Sequence, residues 1–170
     1  MIRSMLYATD LSLYAPYVMQ HALALARTFN AELYVIHVVE PMGLFAESVL
    51  QSYLSEDALK ELHHQGLNTV LDGIEQRVLD GFREELGEGH QDLALIRTVR
   101  VVQGDPCNVI LEQAQQLEVD LLVVGSHSHG TEATAPIGRT AARVLQLSEV
   151  PVYMVPGWSK GARRRDETQT

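Results

Sequence analysis

The sequence predicts an α/β fold in which five parallel strands form one doubly wound sheet between two layers of helices. Short apolar segments alternate with segments of helical period, in the order β-α-β-α-β-α-β-α-β. Such alternation is typical of parallel sheets with right-handed crossovers. Two strand segments are nearly continuous apolar runs, which indicates burial on both faces. The chain has 170 residues, 46% of them hydrophobic, which suits one domain with a substantial core.

The first strand is predicted over residues 2–8 and is followed by the polar sequence TDLS at 9–12. Ser12 is a suitable N-cap for the first helix, and Pro16 falls in its first turn, where a missing N–H costs little. Asn30 is a suitable residue to end this helix. Apolar residues spaced three and four apart predict its inner face. They are Val18, Ala22, Leu25, Ala26 and Phe29.

The second strand is predicted over residues 32–39, whose sequence is ELYVIHVV. Residues 41–55 form either a short helix or a mobile flap, and the sequence leaves both open. A long second helix is predicted over 56–86, where apolar residues keep the helical period. A straight helix of this length would span about 46 Å, so we expect a kink near Gly66 or Gly73.

The third strand is predicted over residues 96–103, and the next helix begins with Asp105 as N-cap and Pro106 as first helical residue. Cys107 is the one cysteine of the chain, so no intrachain disulfide can form. At a helix start its thiol pKa could be lowered, although a lone thiol more often packs. The inner face of the helix is predicted to hold Val109, Ile110, Ala114 and Leu117.

A fourth strand over residues 120–124 ends at Gly125, and Gly138 lies 13 residues further on, where a fourth helix opens. Between a strand's carboxyl end and a helix's amino end, an α/β sheet offers free backbone N–H groups and a positive helix end. We therefore interpret this segment as a nucleotide-phosphate cradle. The apolar face of the helix is predicted to hold Ile137, Ala141, Val144 and Leu145.

The fifth strand is predicted over residues 151–156, and prolines at both of its ends favour an edge position. Residues 157–170 form a polar tail that is predicted to be disordered. The domain is accordingly expected to span residues 1–156.

Charge and motifs exclude several function classes. A net charge of −9 disfavours nonspecific binding to nucleic acid or to an anionic membrane surface. No apolar run approaches the roughly 18 residues of a membrane span, and the start does not resemble a signal peptide, so we expect a cytoplasmic protein. The sequence lacks the P-loop, GxGxxG and GxSxG motifs, and no acid or cysteine cluster completes a metal site with His127 and His129. We predict a binding protein, not an enzyme.

From residue 2 to residue 156 the layout resembles the universal stress protein family. The resemblance implies a Rossmann-like fold of the adenine nucleotide alpha hydrolase-like kind and a role in the stress response. Four stretches carry it, in order and at matching intervals. They are Thr9-Asp10-Leu11-Ser12, His37-Val38, Gly104-Asp105-Pro106, and VVGSHSHG with Gly138 and PVYMVP after it.

Nucleotide-binding members of that family have a signature of glycine, two residues, glycine, nine residues, glycine, then serine or threonine. This chain has Gly125, Ser128, Gly138 and Arg139 at these four positions. Serine at the second position adds a Cβ where glycine permits φ > 0 and close phosphate approach. Arginine at the last position lacks the small hydroxyl but can offer a charged fork to phosphate.

The ligand implied by the resemblance is ATP or another adenine nucleotide, with Mg²⁺ as its companion ion. Asp10 and Val38 would face the adenosine end, with Thr9 beside them. Gly125 and Gly138 also have a plain interpretation as turn and packing glycines, and Asp10 as a cap of the first helix. The ribose and phosphates would face Val124, Gly125, His127, Ser128, Gly138, Arg139 and Thr140.

Three functions stay open. In the first, nucleotide binding orders residues 126–137 and changes a surface offered to an unidentified partner protein. In the second, the same fold is an interaction protein with an empty site, which Ser128 and Arg139 favour. The third is a slow nucleotide hydrolase. We expect a homodimer under all three, because the resemblance implies that the fifth strand pairs across a two-fold axis through Val152 and Met154, and an exposed apolar edge strand needs a partner.

Overall fold

The computed structural model describes residues 1–12, 14–41, 43–61, 67–87, 90–127 and 136–156. Within these ranges the elements follow the predicted order, with a 3-10 helix over Gln91–Leu95 before the third strand. The strands are β1 (Ser4–Ala8), β2 (Glu32–Val39), β3 (Ile96–Gln103), β4 (Leu121–Gly125) and β5 (Val152–Val155). The α-helices are α1 (Ala15–Phe29), α2 (Leu44–Tyr53), α3 (Glu56–Glu61), α4 (Leu67–Leu86), α5 (Pro106–Gln116) and α6 (Arg139–Leu147).

The five strands form one parallel sheet in the order β3-β2-β1-β4-β5. The central strand is β1, where Tyr7 pairs with Val35 of β2 on one side and with Val123 of β4 on the other. The chain proceeds outward from β1 to β3 and then crosses back to β4. The predicted fold class is confirmed, and β5 lies at an edge as predicted.

Each face of the sheet carries its own core. Alternate residues of a strand point to opposite faces, so one apolar strand supplies both cores. The first core packs α1 and α4 on the face that includes Met5, Tyr7, Leu33, Val35, Leu121 and Val123. The second packs α5 and α6 on the face that includes Leu6, Ile36, Leu122 and Val124. The three-layer arrangement follows directly from the apolar runs of β1, β2 and β4.

The first helix begins later than predicted. Its N-cap is Tyr14 without a side-chain cap bond, so the assignment of Ser12 as N-cap is wrong. The cause is a tight turn in which Leu11 has a φ of 57° and the Ser12 amide donates to Asp10 Oδ1 at 2.9 Å. Phe29, predicted to face inward, is 41% exposed. Asn30 ends the helix in the left-handed conformation, as predicted.

The structure distinguishes between the two alternatives, a short helix or a flap, that the sequence left open for residues 41–55. Residues Leu44–Tyr53 are helical, which favours the short helix over the flap. The long helix predicted over 56–86 is described as α3 and α4, and Gly66 lies outside the described residues. Gly73, the other expected kink position, lies inside α4. None of the helices that the structure describes is long and apolar enough to span a bilayer.

The predictions for α5 agree with the structure at its N-cap, whereas those for the apolar face of α6 agree only in part. Asp105 caps α5 by accepting from the Asn108 amide at 3.0 Å, as expected. Cys107 is 2% exposed, and burial raises the pKa of its thiol, so the structure favours a packed thiol over a thiol of lowered pKa. The prediction for the fourth helix was partly wrong: Ile137 lies before α6 and is 39% exposed, and Leu145 on α6 is 41% exposed, because only the stripe with Ala141 and Val144 is turned inward.

Candidate functional site

A cavity of about 490 Å³ opens at the carboxyl ends of β1, β2 and β4. Its size falls in the range of small-molecule sites, which is roughly 300–1,000 Å³. The cavity lies where the neighbouring strands β1 and β4 connect in opposite directions, the usual place for a ligand in an open α/β sheet. The sheet topology thus brings together segments that are more than a hundred residues apart in sequence.

Nine of the ten predicted site residues line this cavity, and the tenth, Ser128, lies outside the described residues. Gly104 directly follows β3 but does not line the cavity. A Cβ there would approach Val109 Cγ2 to 2.6 Å, so this glycine permits close packing on α5. The binding role of the nine stays a prediction. They are Thr9, Asp10, Val38, Val124, Gly125, His127, Gly138, Arg139 and Thr140.

Thr9 holds the turn that forms one wall of the cavity. Its amide donates to the Ile36 carbonyl at 2.9 Å, and its hydroxyl accepts from the Leu11 amide at 3.2 Å. The residue is 7% exposed. Thr9 therefore contributes to the site by fixing the backbone around Asp10.

Asp10 follows at the cavity rim. Its Oδ1 accepts from the Ser12 amide, so Asp10 caps this turn and not the helix α1, which begins at Ala15. Glu40, which the sequence analysis did not assign to the site, lines the cavity after β2. A signal for it existed, because an ionisable residue directly followed a predicted strand at its carboxyl end. The β1 and β2 side of the cavity thus carries two carboxyl groups.

Ser126 joins three elements behind the cavity. Its amide donates to the Val155 carbonyl of β5 at 2.8 Å, and its carbonyl accepts from the Gly138 amide at 2.8 Å. Its hydroxyl lies 2.6 Å from His127 Nδ1. The side chain is 2% exposed. Sequence analysis missed Ser126, because only its neighbours matched the family signature.

The two glycines of the signature have different surroundings. A Cβ on Gly125 would lie 3.3 Å from Val18 Cγ2, so close packing on α1 already favours glycine there. Gly138 has a φ of −60°, and a Cβ there would lie an ordinary 3.5 Å from the Ser126 carbonyl. Among the described atoms, neither backbone conformation nor packing requires glycine at 138. Gly138 therefore leaves space beside the first turn of α6.

The amino end of α6 is the electropositive side of the cavity. The first N–H groups of a helix have no intrahelical acceptor, and the N-cap Gly138 supplies no side-chain cap bond. The exposed Arg139 lines the cavity beside them. The neighbouring helix α5 differs, because Asp105 caps it and also pairs with Arg143 Nη1 at 3.3 Å. The open amides of α6 are therefore the place where an anion is best accommodated.

Metal binding by the protein alone finds no support in the described ranges. No group of three or more His, Cys, Asp or Glu side chains is placed there to hold an ion. Asp10 and Glu40 could still supply a ligand to an ion carried by phosphates, which is how Mg²⁺ commonly enters such sites.

Comparison with known proteins places the fold. A model of the universal stress protein family matches residues 1–156. Universal stress protein MJ0531 of Methanocaldococcus jannaschii is 31% identical over 150 residues, covering 86% of this chain and 76% of that protein. The structure of MJ0577 from the same archaeon has a TM-score of 0.68 at 20% identity, covering 94% of this chain and 99% of that one.

A universal stress protein solved in complex with cAMP has a TM-score of 0.55 at 20% identity, covering 92% of this chain and 98% of that one. At this identity the likeness concerns the fold. The family match covers the whole described sheet, from β1 to β5. The chain belongs to the universal stress protein family.

Proposed function

We propose that this protein binds an adenine nucleotide in the cavity at the carboxyl ends of β1 and β4, and acts as a cytoplasmic stress-response sensor. The observation that carries the proposal is the polarity of the cavity. Hydrogen-bond donors and positive charge lie at the α6 end, and carboxylates lie at the β1 and β2 end. A nucleotide has the complementary polarity, with phosphates at one end and amino and hydroxyl donors at the other.

The phosphate end rests on main-chain geometry. Among the described residues, the N–H groups of Arg139, Thr140 and Ala141 at the start of α6 have no hydrogen-bond acceptor, and the helix dipole adds positive potential there. Arg139 adds a formal charge at the same place. Because Gly138 carries no side chain, an anion can approach these amides closely.

The nucleoside end has both apolar and polar walls. Ile36, Val38 and Val124 line the cavity with aliphatic surface suited to a planar base. Asp10 and Glu40 supply acceptors for hydroxyl or amino donors. The relative solved with cAMP supports an adenine nucleotide as the class of ligand, since it carries adenine on the same fold.

Calorimetric titration with ATP, AMP and cAMP, with and without Mg²⁺, tests the proposal, and GTP serves as a matched control for the base. We expect ATP to raise the melting temperature and to protect residues 126–137 from hydrogen exchange. Mass spectrometry of the protein as purified should detect bound adenine nucleotide. No melting shift at millimolar ATP and Mg²⁺ would contradict nucleotide binding.

A second candidate is an interaction protein of the same fold whose site is empty. Arg139 favours it, because a long side chain stands at the first turn of α6 where the signature has a small hydroxyl. Under this alternative the native chain does not bind ATP, and the double variant Ser128→Gly/Arg139→Ser acquires binding. Failure of the double variant to bind would count against it.

We further propose that binding, not hydrolysis, is the function. The described cavity offers carboxylates but no metal cluster to activate water. A phosphate-release assay on the native protein and on Asp10→Ala tests this. Release that depends on Asp10 would instead assign a slow hydrolase.

A further inference from the structure

A second cavity, of about 210 Å³, lies on the face of the sheet that α1 and α4 cover. The nucleotide cavity is instead lined by residues of α5 and α6. Strand alternation agrees with this placement, because Tyr7 belongs to the core under α1 and α4 and lines the second cavity. Its volume is below the roughly 300–1,000 Å³ of most ligand sites, so this cavity suits a small molecule.

The residues of α4 at this cavity occupy one stripe of the helix. Their spacings place all five within about 140° of the helix circumference, so their side chains share one face. On α1, residues of the first two turns form the facing wall. Helical spacing and the cavity lining therefore agree on which face of α4 is directed to the cavity. The five residues of α4 are Arg77, Val78, Gly81, Phe82 and Glu85.

The inner wall of the cavity is apolar. Met19 of α1 and Val78 and Phe82 of α4 line it and are 7%, 7% and 2% exposed. Pro16 adds further apolar surface from the first turn of α1. A wall of this kind favours an aliphatic or aromatic group over a polar one, because apolar surface of both partners leaves water on contact.

The charged residues of the cavity lie at two different ends. Both α1 and α4 run from the carboxyl end of the sheet toward its amino end, because α1 follows β1 and α4 precedes β3. Arg77 comes eight residues before Glu85, which places it about 12 Å nearer the carboxyl end. Ser12 lies at that same end, in the turn after β1. The cation and the serine hydroxyl are therefore at one end, and the carboxylate is at the other.

The two ends differ in how well their polar groups are satisfied. Glu85 Oε1 accepts from Gln20 Nε2 at 3.0 Å. The Ser12 hydroxyl accepts from the Tyr14 amide at 3.3 Å, but its own proton has no acceptor among the described residues, although Ser12 is only 5% exposed. Arg77 likewise has no hydrogen bond or ion pair within the described ranges. The end at Arg77 thus presents donors that a ligand acceptor can satisfy.

Gly81 keeps the mouth of the cavity wide. Glycine inside a helix is less favourable than alanine, and a Cβ at this position would meet nothing within 4 Å, so packing does not require glycine. The same residue lines the cavity in the middle of the α4 stripe. A side chain there would extend over the opening.

We propose that this cavity binds a small monocarboxylate whose body is aromatic or branched aliphatic. Its carboxylate pairs with Arg77 and accepts from the Ser12 hydroxyl, and its apolar body packs on the wall formed by Met19, Val78 and Phe82. A guanidinium offers a carboxylate two parallel N–H groups, which suits it to this role. The site goes beyond the proposed nucleotide binding and does not depend on it.

A series of three probes with one apolar body tests the charge of the ligand. They are 3-phenylpropionate, 3-phenylpropionamide and 3-phenylpropylamine, compared by calorimetry on the native protein. We expect the carboxylate to bind about tenfold more tightly than the neutral amide, because it alone can form the charge-assisted bonds to Arg77. Equal affinities of the three, tightest binding of the amine, or no binding of the carboxylate at millimolar concentration would each overturn the proposal.

Two charge variants test the role of Arg77. In Arg77→Gln the preference for the carboxylate over the amide should disappear. Arg83→Gln is the matched control, because Arg83 is an exposed arginine on the same helix that pairs with Asp80 at 3.5 Å and does not line the cavity. The control should keep the native preference. An undiminished preference in folded Arg77→Gln, judged by its melting curve, would contradict the proposed contact.

Two glycine variants test the opening. Gly81→Leu should block the mouth and reduce binding of 3-phenylpropionate at least about tenfold. Gly73→Leu is the control, because Gly73 is also inside α4 with nothing within 4 Å of a Cβ, but it does not line the cavity. Both leucines remove a helix-interior glycine, so neither should destabilise the fold. Native affinity in Gly81→Leu would exclude this cavity as the site.

Methyl NMR of the native protein locates the bound probe without a variant. Titration with 3-phenylpropionate should shift the methyl resonances of Met19 and Val78. Those of Val38 and Val124, which line the nucleotide cavity, should stay in place. Shifts at Val38 and Val124 without shifts at Met19 and Val78 would place the probe in the nucleotide cavity. That result would overturn the second site and leave the proposed nucleotide binding intact.

Discussion

The main-chain amide of Gly138 donates a 2.8 Å hydrogen bond to the carbonyl oxygen of Ser126. This bond joins the end of β4 to the start of α6 and sets the first turn of α6 at the cavity wall. Ser126 is itself fixed to β5 through its amide. These two bonds attach the first turn of α6 to the sheet.

Gly138→Asp should weaken ATP binding while leaving the fold intact. Aspartate is a favoured N-cap, so its carboxylate would accept from the open amides of α6 and add about a few tenths of a kcal/mol to stability. The same carboxylate would occupy the phosphate position and repel phosphate. We expect at least about a tenfold loss of ATP affinity by calorimetry.

Gly138→Ala is the matched control for this substitution. Its Cβ would lie 3.5 Å from the Ser126 carbonyl, an ordinary contact, and it offers no acceptor to the amides. The alanine Cβ takes some of the space beside the amides, so we expect a small loss of affinity in this variant, and a much larger loss in the aspartate variant assigns the anion to the α6 amides. Equal affinities in both variants would place the phosphates elsewhere.

Arg139→Gln should reduce affinity for ATP more than affinity for adenosine. The arginine side chain is exposed at the cavity, so we expect a modest loss of about threefold to tenfold for the triphosphate. The preference of the native protein for ATP over adenosine should also decrease as the salt concentration rises, because exposed charges are screened. Calorimetry at two salt concentrations measures both effects.

Arg143→Gln is the control for charge on the same helix. Arg143 lies one turn further along α6 and pairs with Asp105 at 3.3 Å, and it does not line the cavity. Its removal should leave ATP affinity nearly unchanged. If both variants lose affinity equally, Arg139 acts through the general field of the protein and not through phosphate contact.

Much of the fold was predictable because local signals agreed with the global arrangement. The apolar runs of β1, β2 and β4 predicted a sheet buried on both faces, and Asp105 and Asn30 marked helix ends correctly. The start of α1 was misplaced, because the turn around Leu11 depends on contacts with Asp10 that no periodicity reports.

The location of the candidate site was predictable from the sequence, but not all of the residues that form it. Sequence order and family resemblance identified Asp10, Gly125 and Gly138, which topology brings to one cavity. Glu40 was missed although it directly follows a predicted strand, and Ser126 was missed because its role depends on the approach of β5 to that cavity. Pairing across a sheet is a long-range property, and a single sequence does not encode it locally.

Met154→Pro tests the expected dimer through β5. The amides of Leu122 in β4 and of Ser126 directly after it donate to the carbonyls of Pro151 and Val155. Alternate residues of a strand direct their main-chain groups to opposite sides, so Val152 and Met154 direct theirs to the free edge of the sheet. Proline at 154 removes an outward N–H and should be tolerated at an edge.

Light scattering should then give a dimer for the native protein and a monomer for Met154→Pro, with an unchanged circular dichroism spectrum. Tyr153→Pro is the contrasting variant, because its N–H faces β4 and its loss should destabilise the fold. A native monomer at micromolar concentration would refute the dimer. A dimeric Met154→Pro would place the interface on another surface.

Asp120→Asn should make the protein less stable at neutral pH. Asp120 Oδ2 accepts from the Arg3 and Ser4 amides at 2.7 and 3.1 Å, and these bonds lower the pKa of the carboxyl. A lowered folded pKa means stability that is present above the unfolded pKa, about 4, and is lost as pH falls through the folded pKa. Asparagine removes this dependence.

Urea unfolding between pH 3 and pH 7 measures the effect of Asp120→Asn. Asp72→Asn, a change at an exposed carboxyl on α4, is the control and should leave the pH dependence unchanged. The prediction is wrong if the native protein and Asp120→Asn lose stability in parallel as the pH is lowered.

Tyr7→Phe should lower the unfolding free energy near pH 8. It should also remove the loss of stability that ionisation of Tyr7 causes at alkaline pH. The phenol is 2% exposed and donates to the Ala15 carbonyl at 3.1 Å. Its burial raises the pKa of the hydroxyl, since ionisation would leave a charge in the core. Loss of its hydrogen bonds should cost about 1–2 kcal/mol of unfolding free energy near pH 8.

The sign of the pH effect follows from the raised pKa. The unfolded chain loses this proton near pH 10, while the folded chain keeps it, so native stability should fall by up to about 1.4 kcal/mol per pH unit above that point. The difference between native protein and Tyr7→Phe should therefore shrink as pH rises from 9 to 11. Tyr53→Phe, at a side chain that is 84% exposed, should instead follow the native curve throughout. Urea unfolding across this range decides, because parallel curves for native protein and Tyr7→Phe would mean that Tyr7 ionises as readily in the folded state.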